Sequence, residues 1–216
     1  DYGETTDLTV ALENVGVAQA GDVSAVISTN DTMITILDDS ASYGNIAANS
    51  AATVQSAFQV SIDGSVADGY LATFTVTCYS DTSSWESNFS IAVKAPNAAV
   101  DNIIVDDTQS GNGNRCLDPG ETADISVTIA NGGGVYTTEL LGTLSSGSQY
   151  VTVTSNQHQY GTVNPGDRPT GTYTVQISSS CPQEETVNFA FNFSDNIGYS
   201  DSDEFSLVVG DRTYDP

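Results

Sequence analysis

Hydrophobic and polar residues alternate along most of the chain. Leu8, Val10 and Leu12 take turns with Thr9, Ala11 and Glu13, a period of two that predicts a half-buried strand over residues 7–13. Similar runs predict strands at residues 23–28, 32–37, 57–62, 71–78 and 88–93, and again at 124–130, 139–144, 151–155, 171–177, 186–193 and 204–209. Clusters of Gly, Asn and Asp lie between them, and these residues supply turns. No segment carries the 3.6-residue period of an amphipathic helix. None approaches the roughly 20 apolar residues that cross a bilayer. The pattern reads as all-β, built from short antiparallel strands.

The pattern also repeats. Asp1-Tyr2-Gly3-Glu4-Thr5 matches Asp118-Pro119-Gly120-Glu121-Thr122, an offset of 117 (118 − 1). At that offset Leu8, Val10 and Leu12 meet Ile125, Val127 and Ile129, Asn14 meets Asn131, Gly16 meets Gly133, and Tyr43-Gly44 meets Tyr160-Gly161. Continued further, it sets Phe58 and Val60 against Val175 and Ile177, and Phe74 and Val76 against Phe191 and Phe193. Phe89, Ile91 and Val93 meet Phe205, Leu207 and Val209 after one deletion. Two copies of about 100 residues are a normal size for β-sandwiches. The expected architecture is therefore two tandem immunoglobulin-like (Ig-like) antiparallel β-sandwich domains, residues 1–95 and 96–216, with a linker at residues 94–100 where Pro96-Asn97 interrupts the strand pattern. The second copy owns a leading segment, residues 102–117, that the first lacks. An exposed sheet edge is expected in the first domain, for a strand of a neighbouring copy to fill. The tail at residues 211–216 is a candidate donor.

Charge narrows the partners. With 28 acidic residues against 4 basic ones the formal net charge is −24, a field that repels nucleic acid and anionic membranes and draws cations. The acids are scattered, so most form a solvated surface. The chain opens on Asp1, as expected of a processed chain, and an extracellular or cell-surface location follows from that reading. Three cysteines, Cys78, Cys116 and Cys181, contain no CxxC pair. Cys116 and Cys181 fall in one predicted domain near strand ends and are the favoured disulfide, which Cα separation decides.

One segment carries candidate chemistry. Residues 106–121 alternate short oxygen-bearing side chains with glycines. Calcium takes six to eight oxygens from a tightly bent loop, and Asp106, Asp107, Asn112, Asn114, Asp118 and Glu121 could supply them as a structural site. The spacing differs from an EF-hand and Arg115 sits inside it; an Asx-rich turn explains the same residues. The run Gly111-Asn112-Gly113-Asn114, followed by Leu117-Asp118-Pro119-Gly120-Glu121-Thr122 and a strand ending Ala130-Asn131-Gly132-Gly133, resembles Ig-like modules of large secreted or surface proteins of Bacteroidetes, such as those beside gingipain-like peptidases. The resemblance covers both halves, although in the first only Asp1-Tyr2-Gly3-Glu4 remains of the leading motif. It implies a non-catalytic module beside a functional domain.

Other features fit no enzyme. His158 is the only histidine, and no nucleophile stands in a recognisable turn beside it. Tyr79 and Trp85 flank a polar loop and could stack on a sugar ring, although capping of a sandwich end or of the junction between domains accounts for Trp85 better. Asn30, Asn88 and Asn192 begin N-x-S/T sequons, the last two inside expected strands. Two functions remain. One is a structural or adhesive segment, a spacer or fibre subunit joined to neighbouring copies or domains of the same protein by strand complementation. The other is a carbohydrate-binding accessory module of a secreted hydrolase or peptidase, with Tyr79 and Trp85 as glycan contacts.

Overall fold

A computed structural model describes residues 1–81 and 83–210. The chain divides into two compact units, Asp1–Lys94 and Ala95–Pro216. The described residues contain strands and turns with no helix, and so no helix long and apolar enough to cross a membrane.

The first unit holds β1 (Thr5–Asn14), β2 (Ala20–Ser28), β3 (Ile34–Asp38), β4 (Ser40–Ile46), β5 (Ser50–Ile62), β6 (Leu71–Ser80) and β7 (Ser83–Ala92). Their order is β1-β5-β3 in one sheet and β4-β2-β6-β7 in the other, every pair antiparallel. The second unit adds β8 (Ala98–Asp106) ahead of β9 (Thr122–Asn131), β10 (Leu140–Ser146), β11 (Val151–Ser155), β12 (Gln157–Gly161), β13 (Thr170–Ile177), β14 (Glu185–Ser194) and β15 (Ser200–Val209). Its sheets run β11-β13-β9-β8 and β12-β10-β14-β15. The two units thus share one sheet order, and β8 is the extra strand. Each is an Ig-like antiparallel sandwich.

Alternation along each strand places the core between the sheets. Phe58, Phe74 and Val76 are buried in the first unit, and Ile125, Val127, Tyr173, Phe189 and Phe191 in the second. A tyrosine ties the two sheets in both: Tyr43 Oη donates to the Val10 carbonyl at 3.1 Å and Tyr160 Oη to the Val127 carbonyl at 3.0 Å. An edge-strand phenylalanine stacks on its neighbour in both, Phe89 on Phe74 and Phe205 on Phe189, each with ring centroids 5.1 Å apart.

Those stacks correct the register of the repeat. Phe74 corresponds to Phe189, an offset of 115 (189 − 74), rather than to Phe191. The slip begins in β5. Val54 pairs with Val10 as Gly171 pairs with Val127, at offset 117. Beyond a bulge that holds Ser56 at φ 49°, Phe58 pairs with Leu8 as Tyr173 pairs with Ile125, at offset 115 (173 − 58). Two added residues leave every side chain on its original face, so the pattern of alternation conceals them.

Candidate functional site: an uncovered strand edge beside an Asx-rich loop

The two units differ most at one edge. In the second, β9 lies between β13 and β8, and its inward residues Ala123, Ile125, Val127 and Ile129 are buried. In the first, β1 pairs with β5 on one side and with no strand on the other among the described residues. Its inward residues Thr6, Leu8, Val10 and Leu12 are only half-buried. The mouth between the edges of the two sheets, β1 and β7, stays open as an apolar groove of about 690 Å³, lined among others by Val10, Leu12, Val76, Cys78, Trp85 and Phe89. A smaller hollow bordered by Leu8 and Ile91 lies along the same two strands.

What closes this mouth in the second unit is a latch of main chain. Asn131 donates from Nδ2 to the carbonyls of Val135 and Val163 at 2.8 and 2.9 Å, while its Oδ1 accepts the N–H groups of Gly133 and Asn97, both at 3.0 Å. The Asn97 carbonyl accepts Gly132 N–H and the Ala95 carbonyl accepts Gly134 N–H. Gly133 must be glycine here: a Cβ would stand 2.5 Å from Asn97 N and nearer still to the Ala95 carbonyl oxygen. β8 then follows, with Ala98 N–H donating to Tyr199 Oη at 2.7 Å and Val100 N–H to Asp203 Oδ2 at 2.9 Å.

The first unit keeps half of this latch. Asn14 Nδ2 donates to the carbonyls of Ala18 and Ile46, and Asn14 Oδ1 accepts Gly16 N–H. These are the counterparts of Val135, Val163 and Gly133 at offset 117. Among the described residues no strand comparable to β8 reaches it. A Cβ on Gly16 would meet only Asn14 Oδ1, at 3.0 Å. Val15 and Val17 beside it are 79% and 96% exposed, unusual for valine. The sequence spacing pointed to a missing leading element but gave it as a loop over residues 102–117. The element is a strand that starts at Ala98, inside the expected linker.

The Asx-rich segment forms a compact turn between β8 and β9. Asp107 is fully buried; its Oδ2 accepts Gly113 and Asn114 N–H and its Oδ1 accepts Arg115 N–H. Burial pushes this carboxyl up, and the N–H donors outweigh that and hold it below the ordinary range. Asp118 Oδ2 accepts both the Asn112 and Asn114 side-chain amides at 2.8 Å. Glu121 Oε2 is buried without a hydrogen-bond partner. Burial raises the Glu121 carboxyl, and the nearby Asp118 and Asp107 charges raise it further. The structure thus gathers Asp107, Asn112, Asn114, Asp118 and Glu121. It turns Asp106 aside, onto Thr108 N–H and Oγ1. Among the described residues no three His, Cys, Asp or Glu side chains converge as metal ligands.

The remaining candidates separate. Tyr79 is the last residue but one of β6 and Trp85 lies in β7, a strand where a loop was expected. Trp85 pairs with Cys78 and Ser84 with Tyr79, so the two aromatics project from opposite faces of the sheet and form no shared platform. His158 packs edge-on against Tyr160, centroids 4.9 Å apart, inside a cluster with Tyr173. Cys116 and Cys181 carry separate thiols, set 3.9 Å from the Asn114 carbonyl oxygen and 3.6 Å from the Pro182 carbonyl oxygen, so the favoured disulfide is not formed in this structure. Its reason was position near strand ends, which brings chain segments together without aligning two Cβ vectors. The tail at residues 211–216 lies outside the described residues.

No family model matches the chain, and no curated protein matches it. Among solved structures it is similar to the transglutaminase of red sea bream at 12% identity, covering 98% of this chain and 30% of that one with a TM-score of 0.35. It is similar to an I-band fragment of titin at 11% identity, covering 96% and 60%, TM-score 0.30. It is similar to the major pilin subunit of Bacillus cereus at 10% identity, covering 95% and 69%, TM-score 0.24. At these scores the likeness bears on neither activity nor partner, and the chain spans less than a third of the transglutaminase.

Proposed function

We propose that this chain is a non-catalytic structural or adhesive segment of a secreted or cell-surface protein, a pair of rigid sandwiches that is joined to a neighbouring copy or domain by strand complementation. One observation carries the reading: among the described residues the edge of β1 is open where the same edge of β9 is covered by β8. An open edge offers a row of main-chain donors and acceptors, and proteins normally blunt such edges with charge, proline or a covering element. Here the strand beside it keeps apolar inward residues, a groove and half of a latch. Those features suit the addition of a strand better than its avoidance. The one histidine packs among tyrosines, and the aromatic pair is split across a sheet.

A photo-crosslinking residue at Thr9, which faces outward on β1, tests this in cells that make the protein. The same residue at Ser126, its counterpart under β8, serves as the control and crosslinks within the chain. The expected product at Thr9 is a covalent adduct with a polypeptide strand, mapped by mass spectrometry. Robust crosslinking at Ser126 with no polypeptide adduct at Thr9 would sink the reading.

A further inference from the structure

Resting on the adhesive side of that reading, we infer that the outer face of β6 is a binding track for a neutral polysaccharide, seated in a hollow beside Thr75 and Asn88. Ala72, Phe74 and Val76 are buried, so alternation turns Thr73, Thr75, Thr77 and Tyr79 outward. Each residue of a strand advances the chain by about 3.3 Å, so the four side chains form a row of about 20 Å. The row carries three hydroxyls and ends on a phenol ring that is 45% exposed.

The row begins in a hollow of about 350 Å³. Thr29, Asn30, Thr73, Thr75, Asn88 and Ser90 line it, together with Phe74 and Phe89. Its polar groups are held in place. Thr29 Oγ1 donates to the Thr73 carbonyl at 2.6 Å. Thr75 Oγ1 donates to Asn88 Oδ1 at 2.8 Å, which fixes that amide with its hydrogens as donors. Asp31, next along the chain from Asn30, is engaged elsewhere: its Oδ1 accepts Tyr70 Oη at 2.6 Å and Met33 N–H at 3.0 Å. Threonine suits an exposed strand anywhere, but propensity explains neither the hollow nor the ring at the end of the row.

Charge identifies the class of ligand. The chain carries 28 acidic residues, and β1 alone sets Asp7 and Glu13 on its outer face. Among the described residues no charged side chain lines the hollow. Of the residues paired with the row on β2 and β7, Glu86 alone is charged, and a carboxylate accepts hydroxyl hydrogen bonds. An anionic ligand would meet a chain of net charge −24 with no cation in the hollow, and a cationic one would find no counter-charge there. Hydroxyls and amides both donate and accept, and they match a ligand whose own groups do the same. Tyr79 adds an aromatic plate for the apolar face of a sugar ring.

The second unit shows that the fold does not require this face. In the register of the phenylalanine stacks, Asn188, Ala190, Asn192 and Ser194 of β14 stand where the first unit has Thr73, Thr75, Thr77 and Tyr79. Glu204 stands opposite Ala190 as Asn88 stands opposite Thr75. That row has no ring, lacks the hydroxyl–amide pair and carries a charge in its place.

The test is affinity electrophoresis of the 216-residue chain through gels that hold a soluble polysaccharide: mannan, xylan, dextran or mixed-linkage β-glucan as neutral probes, and alginate as the acidic one. Expected is retardation by at least one neutral polysaccharide and none by alginate. Thr75→Ala together with Asn88→Glu copies the Ala190–Glu204 pair. It should keep the melting temperature and bind at least about tenfold more weakly. Tyr79→Ala should lose at least about fivefold, whereas Trp85→Ala, on the opposite face of the sheet, should bind as wild type does. The inference is overturned if no neutral polysaccharide retards the chain, if alginate retards it equally, if the double substitution and Tyr79→Ala bind unchanged, or if Trp85→Ala is the variant that loses binding. A crosslink at Thr9 without retardation removes this inference and leaves the proposed function standing. Retardation without a crosslink sinks strand complementation and leaves this site.

Discussion

Asn131 and Asn14 occupy one position in two copies of a fold, and their truncation to alanine should cost very different amounts. Asn131 is 1% exposed and makes four hydrogen bonds, two of which, to the Val163 carbonyl and from Gly133 N–H, are themselves buried. Asn131→Ala strands those main-chain groups away from water. At about 1–3 kcal/mol for each buried orphan, plus less for the partners at Val135 and Asn97, the loss is about 3–5 kcal/mol. Asn14 is half-buried and makes three such bonds, those to Ala18 and from Gly16 lying at the surface. Water replaces the exposed ones, and Asn14→Ala should cost about 1 kcal/mol. The assay is differential scanning calorimetry, with hydrogen exchange assigning each transition to its domain. A domain of this size loses roughly 4–8 °C per kcal/mol, so the second domain should fall by at least about 12 °C and the first by about 4–8 °C. Equal losses would refute the reasoning, because the difference rests on β8 and its leader sealing one latch and not the other.

Gly142→Ala should destabilise the second domain by about 1–3 kcal/mol in urea denaturation, because its Cβ would stand 2.5 Å from Tyr173 Oη and 2.7 Å from the rings of Phe191 and Tyr160; a neutral result would show that this cluster can move. Glu121 has a folded pKa above its ordinary value, so wild-type stability should fall as pH rises from the ordinary carboxylate range through that raised value. Glu121→Gln should be the more stable form at neutral pH, with its advantage vanishing in acid, and a pH-independent difference in melting temperature would contradict this. Calcium added to both proteins decides whether the loop takes the cation: a rise in the wild-type midpoint that Glu121→Gln lacks would place it at the buried oxygen, whereas unchanged midpoints remove calcium from the account. Trp85→Ala, at a residue 58% exposed, should change the stability of the unliganded chain by less than about 0.5 kcal/mol, and a glycan array on which wild type binds and Trp85→Ala does not would favour a carbohydrate-binding module instead.

How much of this was legible in the sequence depends on what each feature leaves in the order of residues. Alternation showed β1 and β9 because one face of each is apolar, and the repeat showed two copies because Asn14, Gly16 and Tyr43 kept their spacing to Asn131, Gly133 and Tyr160. The bulge at Ser56 was invisible, since two added residues restore the face that one would have reversed. β8 escaped notice for a related reason. Its inward set is Ala98, Val100, Ile103 and Val105, and an extra residue near Asp101 breaks the period of two just where Pro96 suggests a linker. The open groove had no local signal at all: it lies along the uncovered edge of β1, and its walls include Val76 and Cys78 where the second unit has Phe191 and Phe193, a comparison that needs the corrected register before the right residues face each other. Gly16 is the instructive position. Its φ is not positive and a Cβ there would meet Asn14 Oδ1 alone, at 3.0 Å, so among the described residues no main chain of its own unit requires a glycine. The requirement appears only at Gly133, where main chain passes too close for a Cβ; Gly16 keeps the residue while, among the described residues, no main chain passes it in that way.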